Sequence, residues 1–251
     1  MKKTFSGILV AALAFAGVVG TSTKADAAFF AAICDDLACS GGNDILVQDN
    51  SALDTIAAVG GISFSTSAFG YSLLVNTSQS KPIIGSATAP QLDLNFAATT
   101  GSGSAGGNVF LYASDTDFLG TGSHPFTLSL GGTNSGGSGT VTGRAWGGTN
   151  NTALSFSGAN LFGTLGPLSG TSFGGPNVAE GTLTGNYTAT VSPYSLTIGV
   201  AINRTTAGTT TGDLNLSSTT TVPEPASMTL FGLGLMGFGV ASRRRKAAQG
   251  K

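Results

Sequence analysis

From Tyr194 to Ile202 every even position is large and apolar, and every odd position is small or polar. A period of two puts all the large side chains on one face of an extended strand and on no single face of a helix. The run before it, Leu183 to Val191, alternates on the odd positions, and Ser192-Pro193 separates the two. Together they read as a hairpin with one buried face per strand. The same alternation marks Leu92–Phe96, Ile62–Phe64, Phe126–Leu130 and Ala153–Phe156. Shorter runs at Ile45–Gln48, Tyr71–Asn76, Asn108–Ala113 and Thr140–Trp146 also suit strands. Glycine, serine and asparagine turns such as Gly131-Gly132-Thr133-Asn134 punctuate them. Roughly nine to eleven short strands predict an all-β antiparallel sandwich or jelly roll over residues 28–216. Ser51-Ala52-Leu53-Asp54 ahead of Ile56–Val59 fits either one capped helical turn or a loop.

Composition narrows the class further. Only 9% of the 251 residues are charged and 39 are glycine, against a charged share of about 25% in ordinary domains. That excludes a helical bundle and a coiled coil. Residues 28–222 hold three basic groups, Lys81, Arg144 and Arg204. Against them stand ten acidic ones, Asp35, Asp36, Asp44, Asp49, Asp54, Asp93, Asp115, Asp117, Glu180 and Asp213, for a net charge of −7. So acidic a body disfavours nucleic acid and anionic lipid and suits loosely held divalent cations. Long apolar runs fall only near the two ends, which argues against a multi-span membrane protein.

The N-terminal run has the three parts of a secretory signal peptide. Lys2 and Lys3 precede an apolar stretch from Ile8 to Gly20, and small residues lead to Ala25-Asp26-Ala27. Cleavage is expected after Ala27, so Ala25 and Ala27 are the cleavage residues and the Sec translocon is the implied partner. The apolar stretch is too short to span about 30 Å of hydrocarbon.

At the other end, Val222-Pro223-Glu224-Pro225 is followed by an uncharged segment, residues 226–242, and then by Arg243-Arg244-Arg245-Lys246. Seventeen residues at about 1.5 Å each are just enough to cross an inner membrane as a helix. The basic cluster acts as a stop that stays cytoplasmic. Pro223 and Pro225 favour an extended, accessible backbone before the span. Residues 203–222 hold eight threonines and two serines and suit a polar stalk, although Leu214 and Leu216 suit a last strand. The expected organisation is a signal peptide at 1–27, a β-domain at 28–216, a linker at 217–222 and a sorting signal at 223–246.

Motif, glycine-rich span and arginine stop, in that order, resemble the PEP-CTERM sorting domain of Gram-negative bacteria. The likeness covers roughly residues 222–246. It implies that Val222, Pro223, Glu224 and Pro225 form the motif read by exosortase, a membrane cysteine transpeptidase-like enzyme. It implies a protein that is secreted, transiently anchored and then processed to the cell envelope or beyond, often in species that make exopolysaccharide and biofilm.

Within the body, Cys34 and Cys39 are the only cysteines. In an oxidising compartment so close a pair reads as a disulfide. It lacks the further ligands that zinc needs, since His124 is the only histidine. His124 sits between Gly122-Ser123 and Pro125-Phe126, a turn into a strand, where a solvated side chain is expected. No nucleophile elbow or other catalytic set accompanies it, and no cofactor is expected. Asp115-Thr116-Asp117 is half of a calcium loop, so Asp115 and Asp117 are the calcium candidates. Gly41-Gly42-Asn43-Asp44-Ile45-Leu46 matches one turn of a calcium-binding repeat without the further copies that stacking needs. Trp146 reads either as core or as a platform for a sugar ring. Two functions remain open. One is a non-enzymatic structural or adhesive surface protein linked to exopolysaccharide. The alternative is a carbohydrate-binding module or polysaccharide-acting hydrolase.

Overall fold

The structure is a computed structural model that describes residues 28–101, 106–175 and 181–218. The expected signal peptide with Ala25 and Ala27, Glu180, the motif Val222–Pro225, and the expected span and stop at Arg243–Lys246 lie outside the described residues. Among those described, no helix is long and apolar enough to cross a membrane.

Among the described residues, thirteen strands form two antiparallel sheets. In the first, the order is β2 (Ile45–Gln48), β1 (Phe30–Cys34), β6 (Gly107–Phe118), β12 (Tyr194–Arg204), β8 (Gly139–Gly148) and β9 (Leu161–Ser169). The second runs β10 (Ser172–Gly174), β7 (Gly122–Ser135), β13 (Gly208–Ser218), β5 (Gln91–Thr100), β4 (Tyr71–Gln79) and β3 (Gly61–Ala68). Strand β11 (Thr182–Ala189) pairs with the first half of β7, while β10 pairs with its second half.

The alternation at 194–202 places Tyr194, Leu196, Ile198, Val200 and Ile202 between the sheets, in one core cluster with Leu92, Leu94, Phe96, Leu128, Leu130, Leu214 and Leu216. Burying each such side chain stabilises the fold by roughly 1.5–3 kcal/mol. That makes β12 and β13 the central staves of their sheets. The sequence expectation of one wet face fails for β12, because its other face is covered too. Loop residues 149–160 lie over it: Ser195 Oγ donates to the Thr152 carbonyl at 2.6 Å, and Leu154 N–H donates to Ser114 Oγ at 2.8 Å. Beneath the loop, Tyr112 lies 4.5 Å from Phe156 and 5.9 Å from Trp146 between ring centroids. Gly199 makes this packing possible, since a Cβ there would sit 2.1 Å from the Tyr112 ring.

Three local expectations are corrected. The Leu183–Val191 and Tyr194–Ile202 runs do not form a hairpin: β11 joins the second sheet and β12 the first, so the Ser192-Pro193 connection carries the chain across the sandwich. Alternation fixes which face is buried, but it does not name the partner. Ala153–Phe156 is not a strand. Leu154 and Phe156 satisfy their apolar character by packing sideways onto Tyr112 and Trp146. The threonine-rich segment is not a free stalk from residue 208 on: Gly208–Ser218 is β13, hydrogen-bonded to both β5 and β7. Threonine is a good strand former, and here its alternate positions face outward. Ser51–Val59 takes the loop alternative, with Asp54 accepting from the backbone N–H groups of Asn50, Ile56 and Ser63 at 2.9–3.0 Å.

Candidate functional site

Cys34 and Cys39 form a disulfide with Cα atoms 5.2 Å apart, stapling the end of β1 to the loop that follows. Asp36 caps that loop, accepting from Ala38 N–H at 2.7 Å and from Ser40 Oγ at 2.8 Å. The Tyr112 hydroxyl donates to the Leu37 carbonyl at 2.8 Å from below. Asp44 approaches both sulfurs, but sulfurs joined to each other offer no thiolate to a metal.

The two calcium candidates are not brought together. A register shift in the β6–β12 pairing between Tyr194 and Leu196 accompanies a positive φ at Asp117. Asp115 is fully buried. It accepts from Ser80 Oγ at 2.5 Å, from Lys81 Nζ at 2.8 Å and from the Thr116 N–H at 2.7 Å. Asp117 instead makes a two-way pair with Asn151: Asn151 Nδ2 donates to its carboxylate, and its own N–H donates to Asn151 Oδ1, both at 2.7 Å. Each carboxylate already has its protein partners.

His124 is not a solvated turn residue. It lies inside β7, 3% exposed, with ring centroids 5.1 Å from Tyr187 and 5.8 Å from Tyr194. Those two tyrosines share a 2.6 Å hydrogen bond with each other. Burial pushes the His124 pKa down. Trp146 is 2% exposed beneath Phe156 and is core, not a sugar platform.

The feature that sequence reasoning missed is the outward face of the second sheet. An open groove of about 820 Å³ crosses it, lined among others by Asn76, Asn95, Ser129, Thr211, Asp213 and Asn215. Three of these, Asn95, Asp213 and Asn215, belong with the adjacent Asp93 to a near-symmetric pair. The tripeptide Asp-Leu-Asn occurs at Asp93–Asn95 and again at Asp213–Asn215. Antiparallel register sets Asp213 opposite Asn95 and Asn215 opposite Asp93. The leucines point inward, so the four polar side chains share the outer face. Asn215 Nδ2 donates to Asp93 Oδ1 at 2.9 Å and to Asp213 Oδ2 at 3.1 Å. Partial burial, and after it the neighbouring Asp213 carboxyl, push the Asp93 carboxyl up to about 8, with Asn215 pulling the other way. Asp213 Oδ1 is shielded from solvent and has no protein partner. The repeated tripeptide was the signal in the sequence; only the register makes its two copies neighbours.

The family model of the PEP-CTERM protein-sorting motif matches residues 221–246. The chain therefore carries the sorting motif of secreted surface proteins that exosortase processes. No curated protein matches the chain. Among solved structures, the enzymatically active domain of bacteriophage CBA120 tailspike protein 4 aligns over 66% of this chain at 8% identity and a TM-score of 0.31. The aligned part is 21% of that chain, and the likeness is too distant to bear on fold or function.

Proposed function

We propose that this chain is a non-enzymatic structural or adhesive protein of the extracellular matrix, held among exopolysaccharide after its C-terminal signal is processed. The observation that carries the reading is the sorting motif at 221–246, placed directly after a sandwich whose last strand ends at Ser218. In this reading the signal peptide at 1–27 directs export by the Sec translocon. The span at 226–242 and the stop at Arg243–Lys246 then hold the chain until exosortase acts at Val222–Pro225. The mature body is acidic, and the outer face of its second sheet is lined by short hydroxyl, amide and carboxyl side chains. Such a surface suits a hydrated polysaccharide network.

The alternative, a polysaccharide hydrolase, gains one specific observation, the Asp93–Asp213 pair on a groove. Glycosidase carboxyls stand about 5–5.5 Å apart in retaining enzymes and about 6.5–9.5 Å apart in inverting ones. Here the Asn215 amide bridges the two carboxyls, donating to one oxygen of each. The experiment is a fractionation of producing cells together with a reducing-end assay on their own polysaccharide. Protein retained in the matrix fraction with no sugar released supports the adhesive role. Released sugar that disappears in Asp93→Asn would establish the hydrolase.

A further inference from the structure

The groove over the paired Asp-Leu-Asn segments has the chemistry of a ligand site, and its charge narrows the ligand. Five strands contribute to it, β4, β5, β13, β7 and β10. At about 4.8 Å per strand this makes a row roughly 20 Å long running across the sheet, a length suited to a chain and not to a single small molecule. Its floor is smooth where β7 contributes Gly131 and Gly132. A Cβ on Gly131 would sit 2.8 Å from the Gly175 Cα, so a side chain there would push into the wall formed by Gly174 and Gly175. Leu74, Phe96, Ala97 and Phe173 contribute apolar surface beside the polar row, and most of the exposed lining is apolar.

Among the described residues, no basic residue lines the groove. Arg204 is fully buried, with its guanidinium hydrogen-bonded to Asn134, Thr210 and the Ser135 carbonyl. Lys81 is tied to Asp115. An anionic polymer would thus meet two carboxyl groups and no counter-charge. A polymer carrying amines finds the reverse: an ammonium seated over Asp213, with Asp93 beside it, would be attracted by the carboxyl groups and would relieve the repulsion between them. Asn76 and Asn95 present amides to sugar hydroxyls, while Asn215, whose Nδ2 is engaged by Asp93 and Asp213, offers its Oδ1 as an acceptor.

We infer that the outer face of the second sheet binds a polysaccharide of amino sugars with free amines, seated across the strands over Asp213, with Asp93 beside it. This rests on the reading of the protein as a matrix component and names the part of it that grips the matrix.

The test uses the full-length protein in non-ionic detergent, with soluble glucosamine oligomers as the probe in calorimetry. N-acetylated oligomers and alginate oligomers serve as comparisons. The expected order is glucosamine oligomers first, acetylated oligomers at least tenfold weaker and alginate not bound. Asp93→Asn/Asp213→Asn should weaken glucosamine binding at least tenfold. So should Thr211→Trp, which fills the groove without changing charge. Asp35→Asn/Asp36→Asn removes the same charge elsewhere and should stay within twofold. Equal losses in both aspartate pairs would reduce the effect to net charge and overturn the site, as would unchanged binding in Thr211→Trp or alginate binding as strong as glucosamine. Circular dichroism of each variant confirms folding, and Thr211 is exposed. Matrix retention is scored separately. Protein retained in the matrix that binds no amino sugar overturns this site alone, whereas protein absent from the matrix overturns the broader reading.

Discussion

Lys81 Nζ lies 2.8 Å from Asp115 Oδ2, joining the loop after β4 to the distorted end of β6. The carboxylate is fully buried and the lysine side chain only 12% exposed. The same ammonium also donates to the Thr116 carbonyl and sits 4.0 Å from the centroid of the Phe118 ring. Burial pushes the Asp115 pKa up, while Lys81 and Ser80 pull against it. Two long-range segments are thereby held by a charge that cannot be left alone.

Removing only one partner should therefore be costly. Lys81→Met leaves Asp115 buried without a counter-ion and should destabilise the protein by about 3 kcal/mol or more. The double variant Lys81→Met/Asp115→Asn should cost clearly less than the sum of the two single changes. Urea unfolding of all three variants measures this, and additive costs would show that the pair is not coupled.

His124 predicts a stability loss on the acid side. Its folded pKa is lowered by burial, so below an unfolded value of about 6.5 the unfolded chain takes up a proton that the folded chain resists. Stability from this group is complete above that pH and falls as pH drops through it. The ring is packed against Tyr187 and Tyr194, so His124→Phe suits the space. The variant should lose less stability than the wild type between pH 7.5 and 5, as read by thermal unfolding at each pH.

Asp93 acts with the opposite sign. Its folded pKa stands near 8, so the folded chain keeps a proton that the unfolded chain gives up above about pH 4. The contribution is complete below pH 4 and is lost as pH rises towards 8. Asp213→Asn removes the repulsion and should lessen the decline. A melting temperature on the order of 3 °C above wild type at pH 9, with little difference at pH 5, is the expected outcome. Identical pH profiles for the two proteins would mean that the two carboxyls do not interact.

Faces were legible in the sequence, and partners were not. The period of two at Tyr194–Ile202 identified the inward row of β12, because only a strand sorts side chains that way. The same pattern could not tell that β11 crosses to the other sheet, since a Ser-Pro turn serves a hairpin and a crossover equally well. Loop residues 149–160 bury the outer face of β12 through contacts distant in sequence, among them Thr152 with Ser195. His124 was misplaced because turn residues flank it, while Tyr187, which covers it, lies across a strand pairing. Asp93 and Asp213 were each legible as outward-facing. Their meeting depends on the register of β5 against β13, which no local pattern encodes.

The last prediction concerns the sorting motif at residues 221–246. Arg243, Arg244, Arg245 and Lys246 follow the uncharged segment directly. Moving even one such charge into hydrocarbon costs about 2.5–3.5 kcal/mol on lenient scales, so the cluster should stop translocation and keep Pro223-Glu224-Pro225 at the membrane surface, where a membrane enzyme reaches it. Replacing all four with serine should let the chain slip through, giving a released protein whose tail is intact. Glu224→Ala leaves the stop in place and alters what the enzyme reads, so that variant should stay anchored and full length. Intact-mass measurement of the membrane and released fractions separates these outcomes. A wild-type surface form that still ends at Lys251 would mean that the segment is a permanent anchor, with no processing at the motif.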